Sequence, residues 1–309
     1  MREKILIVGS ADMDLTLQMQ ALPHAGEDAI EESRFAYSAG GGGAVAALAM
    51  TRLGMDVSYA ARVGNDHHGS RLLQLYREAG MDVSYVAVDP RAATGLRVAI
   101  CEDNGNCRTV YYPGANTRIL LSDIETAILN TAPALIYLPT DLPSELLAGI
   151  TRLAASAGIP TAVEAGGCDE NMPLSVLTPA EILAIDDKDT FRLVGTYPAG
   201  SDSCLKAAVE LEKRVRARYY VIKLAERGLF VYDGRYCHML PAYNLRVGGT
   251  RCFSDSLSAV LAAEYLRNGG DIQAAARFSL ACSALLQKNG ADPHYFPQDD
   301  EIRLLAAQH

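Results

Sequence analysis

Three places in this chain put residues where they can handle a polar or charged ligand. The first is Gly40-Gly-Gly-Gly43, which runs into an Ala/Leu/Met-rich stretch closed by Gly54. Glycines ahead of a helix leave its first-turn amides bare and let the backbone approach a bound group closely. The second is Gly249-Thr-Arg-Cys-Phe-Ser-Asp255, ahead of an Ala/Leu-rich run from Ser256. Ser254 or Asp255 fits there as the cap of a helix over 256–267, which is the ordinary task of an Asp in that place. The same position offers a carboxylate to accept a hydroxyl proton, beside amides able to hold transferring phosphoryl oxygens. The third is Asp14, which follows a buried strand and has no helix to cap, so its carboxylate is expected to face a pocket.

Positioning such residues takes a scaffold, and the hydrophobic pattern supplies one. Residues 4–9 read as a buried strand ending in a turn, 40–54 as a helix, 57–63 as a strand, and 69–79 as a helix stopped by Gly80. His67-His68 falls in a loop-like stretch before that helix. Residues 94–101 and 107–113 form a hairpin signature with Asn104-Gly105 as its turn. Strands are then expected at 134–138, 160–164 and 181–185, separated by a helix at 144–157. A short helix and a longer one at 205–216 follow, then paired strands at 220–224 and 228–232, and helices at 256–267 and 272–286. Alternating β and α segments imply a mostly parallel sheet with helices on both faces and a ligand at the carboxyl ends of its strands. Residues 12–38 and 94–112 do not fit such a sheet and are expected to form a small β lid.

Composition narrows the function classes. The chain has 309 residues, 49% of them apolar, and a net charge of −9. An acidic chain has no general attraction for nucleic acid or anionic lipid, so neither is expected as a partner. No apolar run approaches the ~18 residues of a membrane span. The opening Met1-Arg-Glu-Lys followed by Ile-Leu-Ile-Val8 reads as a first strand, not a signal peptide, which makes the cytoplasm the expected compartment. The seven cysteines show no paired rhythm and no C-x-x-C, so reduced, mostly buried thiols are expected. The glycine run is a poor dinucleotide fingerprint: counted from Gly40 the third glycine falls on Val45, and counted from Gly41 on Ala46. No P-loop motif is present.

At these residues the sequence resembles the ribokinase/PfkB family of sugar and nucleoside kinases, over nearly the whole chain and in the right order. Gly9-Ser-Ala-Asp-Met-Asp14 is similar to the family's opening strand and turn, whose final Asp binds substrate hydroxyls. Residues 40–54 resemble its first glycine-rich signature. Arg62-Val-Gly-Asn-Asp-His-His-Gly69, Glu78-Ala-Gly-Met-Asp82 and Tyr111-Tyr-Pro-Gly-Ala-Asn116 resemble later turns, and Lys223-Leu-Ala-Glu-Arg-Gly228 its nucleotide-side strand and turn. The resemblance implies a three-layer α/β/α fold with a mostly parallel central sheet and a small β lid, as one domain over 1–309. It implies Asp255 as catalytic base, the amides of Cys252, Phe253 and Ser254 as anion hole, and Asp14, Gly40, Gly41 and Gly42 as the substrate grip. Lys223, Ala225, Gly228 and Arg251 fall on the nucleotide side. Asp186 and Asp189 stand for the family's Asn-x-x-Glu and would reach magnesium through water. ATP and Mg2+ are the implied cofactors, a sugar or nucleoside the implied partner, and the lid's strand edges suit a homodimer through it.

The departures from the family pattern shape the competing readings. The second signature's Gly-Ala-Gly is replaced by Cys252-Phe253-Ser254, Gly249 replaces an Asp of the monovalent-cation site, Val45 a substrate-binding Asn, and Ala225 a glycine of the nucleotide turn. The leading reading is an ATP-dependent kinase acting on the hydroxymethyl group of a sugar, nucleoside or related polyol. The alternative is a kinase-like small-molecule binding protein with impaired chemistry. A Rossmann-type oxidoreductase ranks behind both.

Overall fold

The computed structural model describes residues 3–22, 26, 35–104, 106–166, 172–243, 254–289 and 295–308, without the side chains of Ser254 and Asp255. In chain order the elements begin with β1 (Lys4–Val8), β2 (Asp12–Met19), β3 (Phe35–Gly40), α1 (Gly42–Arg52), β4 (Asp56–Gly64), α2 (His67–Glu78), β5 (Val86–Asp89), β6 (Gly95–Glu102) and β7 (Cys107–Tyr112). A 3-10 turn, Gly114–Arg118, leads to α3 (Leu121–Thr131), β8 (Leu135–Pro139), α4 (Ser144–Ser156), β9 (Thr161–Glu164), β10 (Ala180–Asp186), α5 (Asp187–Val194) and α6 (Ser201–Glu212). The chain continues with β11 (Ala217–Lys223), β12 (Leu229–Tyr232), β13 (Cys237–Leu240), α7 (Ser254–Arg267), α8 (Ile272–Lys288) and α9 (Asp299–Ala306).

Nine strands make the main sheet in the order β13-β12-β11-β10-β9-β8-β1-β4-β5. It is parallel from β5 to β11, and β12 and β13 run antiparallel. β1 is buried on both faces, which explains its unbroken apolar run. Ile5 and Ile7 pack on one side with α1, α7 and α8, while Leu6 and Val8 pack on the other with α3, α4 and α6. After β1 the chain adds strands first toward β5 and then back toward β13, so the strand order reverses at β1. A crevice opens at the carboxyl end of such a strand.

The remaining four strands form a second sheet, β3-β2-β6-β7, with β2 and β6 parallel and both hairpin pairs antiparallel. Its root is tied to the main body by Asp66. That carboxylate caps α2 through Gly69 N at 2.8 Å and also accepts from Thr94 N at 2.8 Å and Thr94 Oγ1 at 2.7 Å. These hydrogen bonds outweigh the effect of burial and hold the Asp66 carboxyl below its usual range.

Several expectations need correcting. The Asp66 cap starts α2 two residues early, so His67-His68 belongs to the helix and not to a loop. Helix α6 starts at Ser201 and not at Leu205. Helix α7 starts at Ser254, so Asp255 lies in its first turn and does not precede it as a cap. The cysteines are not all reduced: Cys101 and Cys107 face each other across β6 and β7 with Cα atoms 4.1 Å apart and are disulfide-bonded. Cys204 and Cys282 are buried thiols, whereas Cys237 is exposed. Cys168 and Cys252 lie outside the described residues. No described helix is long and apolar enough to cross a membrane.

Candidate active site

The crevice at β1 is built by close backbone approach. Gly9, just past β1, lies against Gly43 in the first turn of α1, and a Cβ on Gly9 would sit 2.6 Å from Gly43 Cα. Gly41 adopts φ +89° as the N-cap of α1, and a Cβ there would lie 2.5 Å from Ser10 O. Glycine is the residue that meets both demands. The start of α1 therefore sits directly on the turn that leaves β1. Asp141, just after β8, accepts from Gly42 N at 3.0 Å and from the Ser10 hydroxyl. Its charge complements the positive end of α1.

From that turn the chain enters β2, whose alternation puts Asp12 and Asp14 on one face. Asp14 lies over Gly40, where a Cβ would collide with its carboxylate. Arg97 Nε stands 3.9 Å from Asp14 Oδ1, and the Arg97 guanidinium rests over the Tyr111 ring at 5.4 Å. Asp12 is fully buried. Its Oδ1 accepts from Asn116 Nδ2 at 2.6 Å and from the Tyr111 hydroxyl at 3.4 Å. Asn116 is itself oriented by Ala11 N, which donates to its Oδ1 at 2.9 Å. Burial, then the charge of Asp141, raises the Asp12 carboxyl to about 7 against the lowering by Asn116 and Arg97.

The carboxyl ends of β9, β10 and β11 lie on the same edge of the sheet. Glu164 ends β9, and its Oε1 lies 2.5 Å from the Lys223 ammonium at the end of β11, both side chains nearly buried. Asp186 ends β10 and caps α5 through Asp189 N at 2.7 Å. Asp189 accepts from Arg192 Nε at 2.9 Å. Asp187 accepts from Arg227 at 3.0 Å and from the Tyr197 hydroxyl at 3.1 Å, which ties the turn after β11 to α5. That turn holds Ala225 at φ +51°, a left-handed conformation that L side chains adopt at a cost.

The sequence-derived candidates thus fall into two groups on one edge. Asp14, Gly40, Gly41 and Gly42 meet at β1, and Lys223, Ala225, Gly228, Asp186 and Asp189 cluster near β10 and β11. Arg251, Cys252 and Phe253 lie outside the described residues, as do the side chains of Ser254 and Asp255. Sequence reasoning missed Asp12, Asp141, Arg97, Tyr111 and Asn116 as site residues. The two-residue spacing of Asp12 and Asp14 was a usable signal for Asp12; Asp141 carried none.

A family model for pfkB family carbohydrate kinases matches residues 2–294. The chain belongs to the pfkB family. It is 24% identical over 309 residues to the ribokinase of Arabidopsis thaliana, covering 97% of this chain and 80% of that one. The ribokinase of Lactococcus lactis subsp. lactis is 27% identical over 298 residues, covering 93% and 92% of the two chains. The structure of Arabidopsis thaliana ribokinase complexed with ribose and ATP matches with a TM-score of 0.86 at 20% identity, over 99% of each chain, a likeness of fold. As a pfkB member, the chain is by class a carbohydrate kinase.

Proposed function

We propose that this pfkB protein transfers the γ-phosphoryl group of ATP to a hydroxymethyl group of a sugar, nucleoside or related polyol. One observation carries the reading. Acceptor-rich carboxylates and a glycine-built helix start meet at the strand where the sheet order reverses, a surface suited to hydroxyl donors. Asp14 with Gly40, Gly41 and Gly42 grips the polyol, and the second sheet, β3-β2-β6-β7, closes over it as a lid. Asp255 accepts the hydroxyl proton. The amides of Cys252, Phe253 and Ser254 take the charge of the transferring group. Lys223, Ala225, Gly228 and Arg251 border the nucleotide.

The acidic groups fit a metal held at arm's length. Magnesium takes oxygen ligands and keeps several waters, so it would be carried chiefly by phosphates and water. Asp186 and Asp189, already engaged with α5 and Arg192, would reach it through water. When bound, it would neutralise phosphate charge. Exposed Phe35, Tyr37, Val110 and Tyr112 on β3 and β7 support a homodimer through the second sheet.

Asp255→Asn tests the assignment. ADP release with the best substrate should fall by at least ~100-fold, while stability changes by less than about 1 kcal/mol. A rate that survives the change misplaces the active site. A second reading, a binding protein that has lost its chemistry, is favoured by the side chains at 252–254. A silent protein revived by Cys252→Gly, Phe253→Ala and Ser254→Gly together would establish that reading.

A further inference from the structure

Four carboxylates are buried among the described residues: Asp12, Asp89, Glu164 and Glu264. Three of them have a cation. Asp89 pairs with Arg62 and Arg118, Glu164 with Lys223, and Glu264 with Arg267 and Arg303. Asp12 makes no ion pair with any described residue. The donors on its Oδ1 are a neutral amide and a neutral phenol, and its buried Oδ2 has no hydrogen-bond partner among the described residues. A buried charge left without a counter-ion is costly, and a protein retains one where a ligand completes it.

We propose that Asp12 receives an ammonium group, so that the polyol accepted at this site carries a primary amine. This rests on the β1 crevice being the substrate site, as read above. Asp12 shares its strand face with Asp14, which pairs with Arg97, and the charge of Asp141 is close enough to raise its proton affinity. A neutral hydroxyl would hydrogen-bond here but leave the Asp12 carboxylate without a counter-ion. A protonated amine supplies both the charge and three N–H donors. The groups that act on Asp12 come from every neighbouring element: Asp14 from β2, Arg97 from β6, Tyr111 from β7, Asn116 from the 3-10 turn, Asp141 from beyond β8. From below, the charge of Asp12 bears on the buried tyrosines Tyr59 of β4 and Tyr76 of α2. The free protein holds Asp12 partly protonated near neutrality, and an arriving ammonium group displaces that proton.

Calorimetric titration without nucleotide, at pH 7, of three matched pairs tests this: glucosamine and glucose, 1-amino-1-deoxyfructose and fructose, 3′-amino-3′-deoxyadenosine and adenosine. In at least one pair the amine should bind about tenfold or more tighter than its neutral parent. Asp12→Asn should reduce that preference to about twofold or less, and N-acetylation of the amine should abolish it. Repeating the wild-type titration in buffers of different ionisation enthalpy should show net proton release. Neutral parents that bind equally well or better, a panel in which no amine binds, or a preference that persists in folded Asp12→Asn overturns the proposal. If the variant does not fold, the absence of proton release in the wild type does so instead. ADP release with ATP and the bound amine is scored separately: binding through Asp12 without turnover refutes the kinase reading alone, and turnover of neutral sugars alone refutes this one.

Discussion

The two ends of the site edge handle charge in opposite ways. Near β10 and β11, Lys223 answers Glu164, Arg192 answers Asp189 and Arg227 answers Asp187. Near β1, the fully buried Asp12 has only neutral donors among the described residues. One end is finished before any ligand arrives, and the other is completed by the ligand. The difference separates framework from recognition: paired charges fix where strands and turns sit, and an unbalanced one selects what enters.

Four experiments sharpen or break that contrast. The largest effect should come from the finished end. Lys223→Met alone leaves Glu164 buried without its cation and should cost about 3–5 kcal/mol in urea unfolding, while adding Glu164→Gln should recover most of the loss. A single variant as stable as wild type would mean the pair braces nothing. At the other end, Asp12 works against folding. Its carboxyl is raised to about 7 in the folded chain from 3.8, so the folded state holds a proton more tightly than the unfolded one. Stability therefore falls as pH rises from about 4 to about 7 and stays lower above that, by up to ~4 kcal/mol. Asp12→Asn should melt near wild type at pH 4 and above it at pH 8; equal melting at both would refute the buried, unbalanced carboxylate.

Asp14→Ala comes next. Substrate affinity should fall about 100-fold, or roughly 3 kcal/mol, with unfolding changed by less than about 1 kcal/mol, because the group is partly exposed and serves the pocket more than the core. Equal losses in binding and stability would make Asp14 framework. The smallest effect belongs to the turn after β11. Ala225→Gly should stabilise the protein by about 1 kcal/mol, since glycine meets φ +51° without a Cβ penalty. A destabilised variant would show that the alanine methyl contributes packing that outweighs its strain.

Much of the fold was legible because its strands are buried on both faces. Residues 5–8 and 134–138 read as continuous apolar runs, and the helices between them carried clear stops such as Gly54 and Gly80. β13 was missed because its first three residues are exposed and carry no alternation. α9 was missed because its apolar face is short and only Ile302 is buried. The disulfide was hidden by an odd cysteine count and by the turn reading itself, because a two-residue turn at Asn104-Gly105 would set Cys107 opposite Glu102, whereas the register sets it opposite Cys101. In the site, Asp14 and the glycines showed themselves through local pattern. Asp12 did not, because what distinguishes it from Asp14 is Asn116, a partner 104 residues away, and a depth of burial that no local spacing encodes.

The bond between Cys101 and Cys107 has a mechanical consequence. It stitches β6 to β7 at the end of the hairpin farthest from the main body, where two strands would otherwise shear and fray. At the opposite end, Asp66 grips Thr94 from the cap of α2. A ribbon clamped at its tip behaves as a stiff plank, so bending is displaced to its root. Any swing of this sheet over the crevice must then bend all its roots together, at the turn between β1 and β2, at residues 40–42, and beside Thr94 and Pro113, with Asp14, Arg97 and Tyr111 carried along as one set.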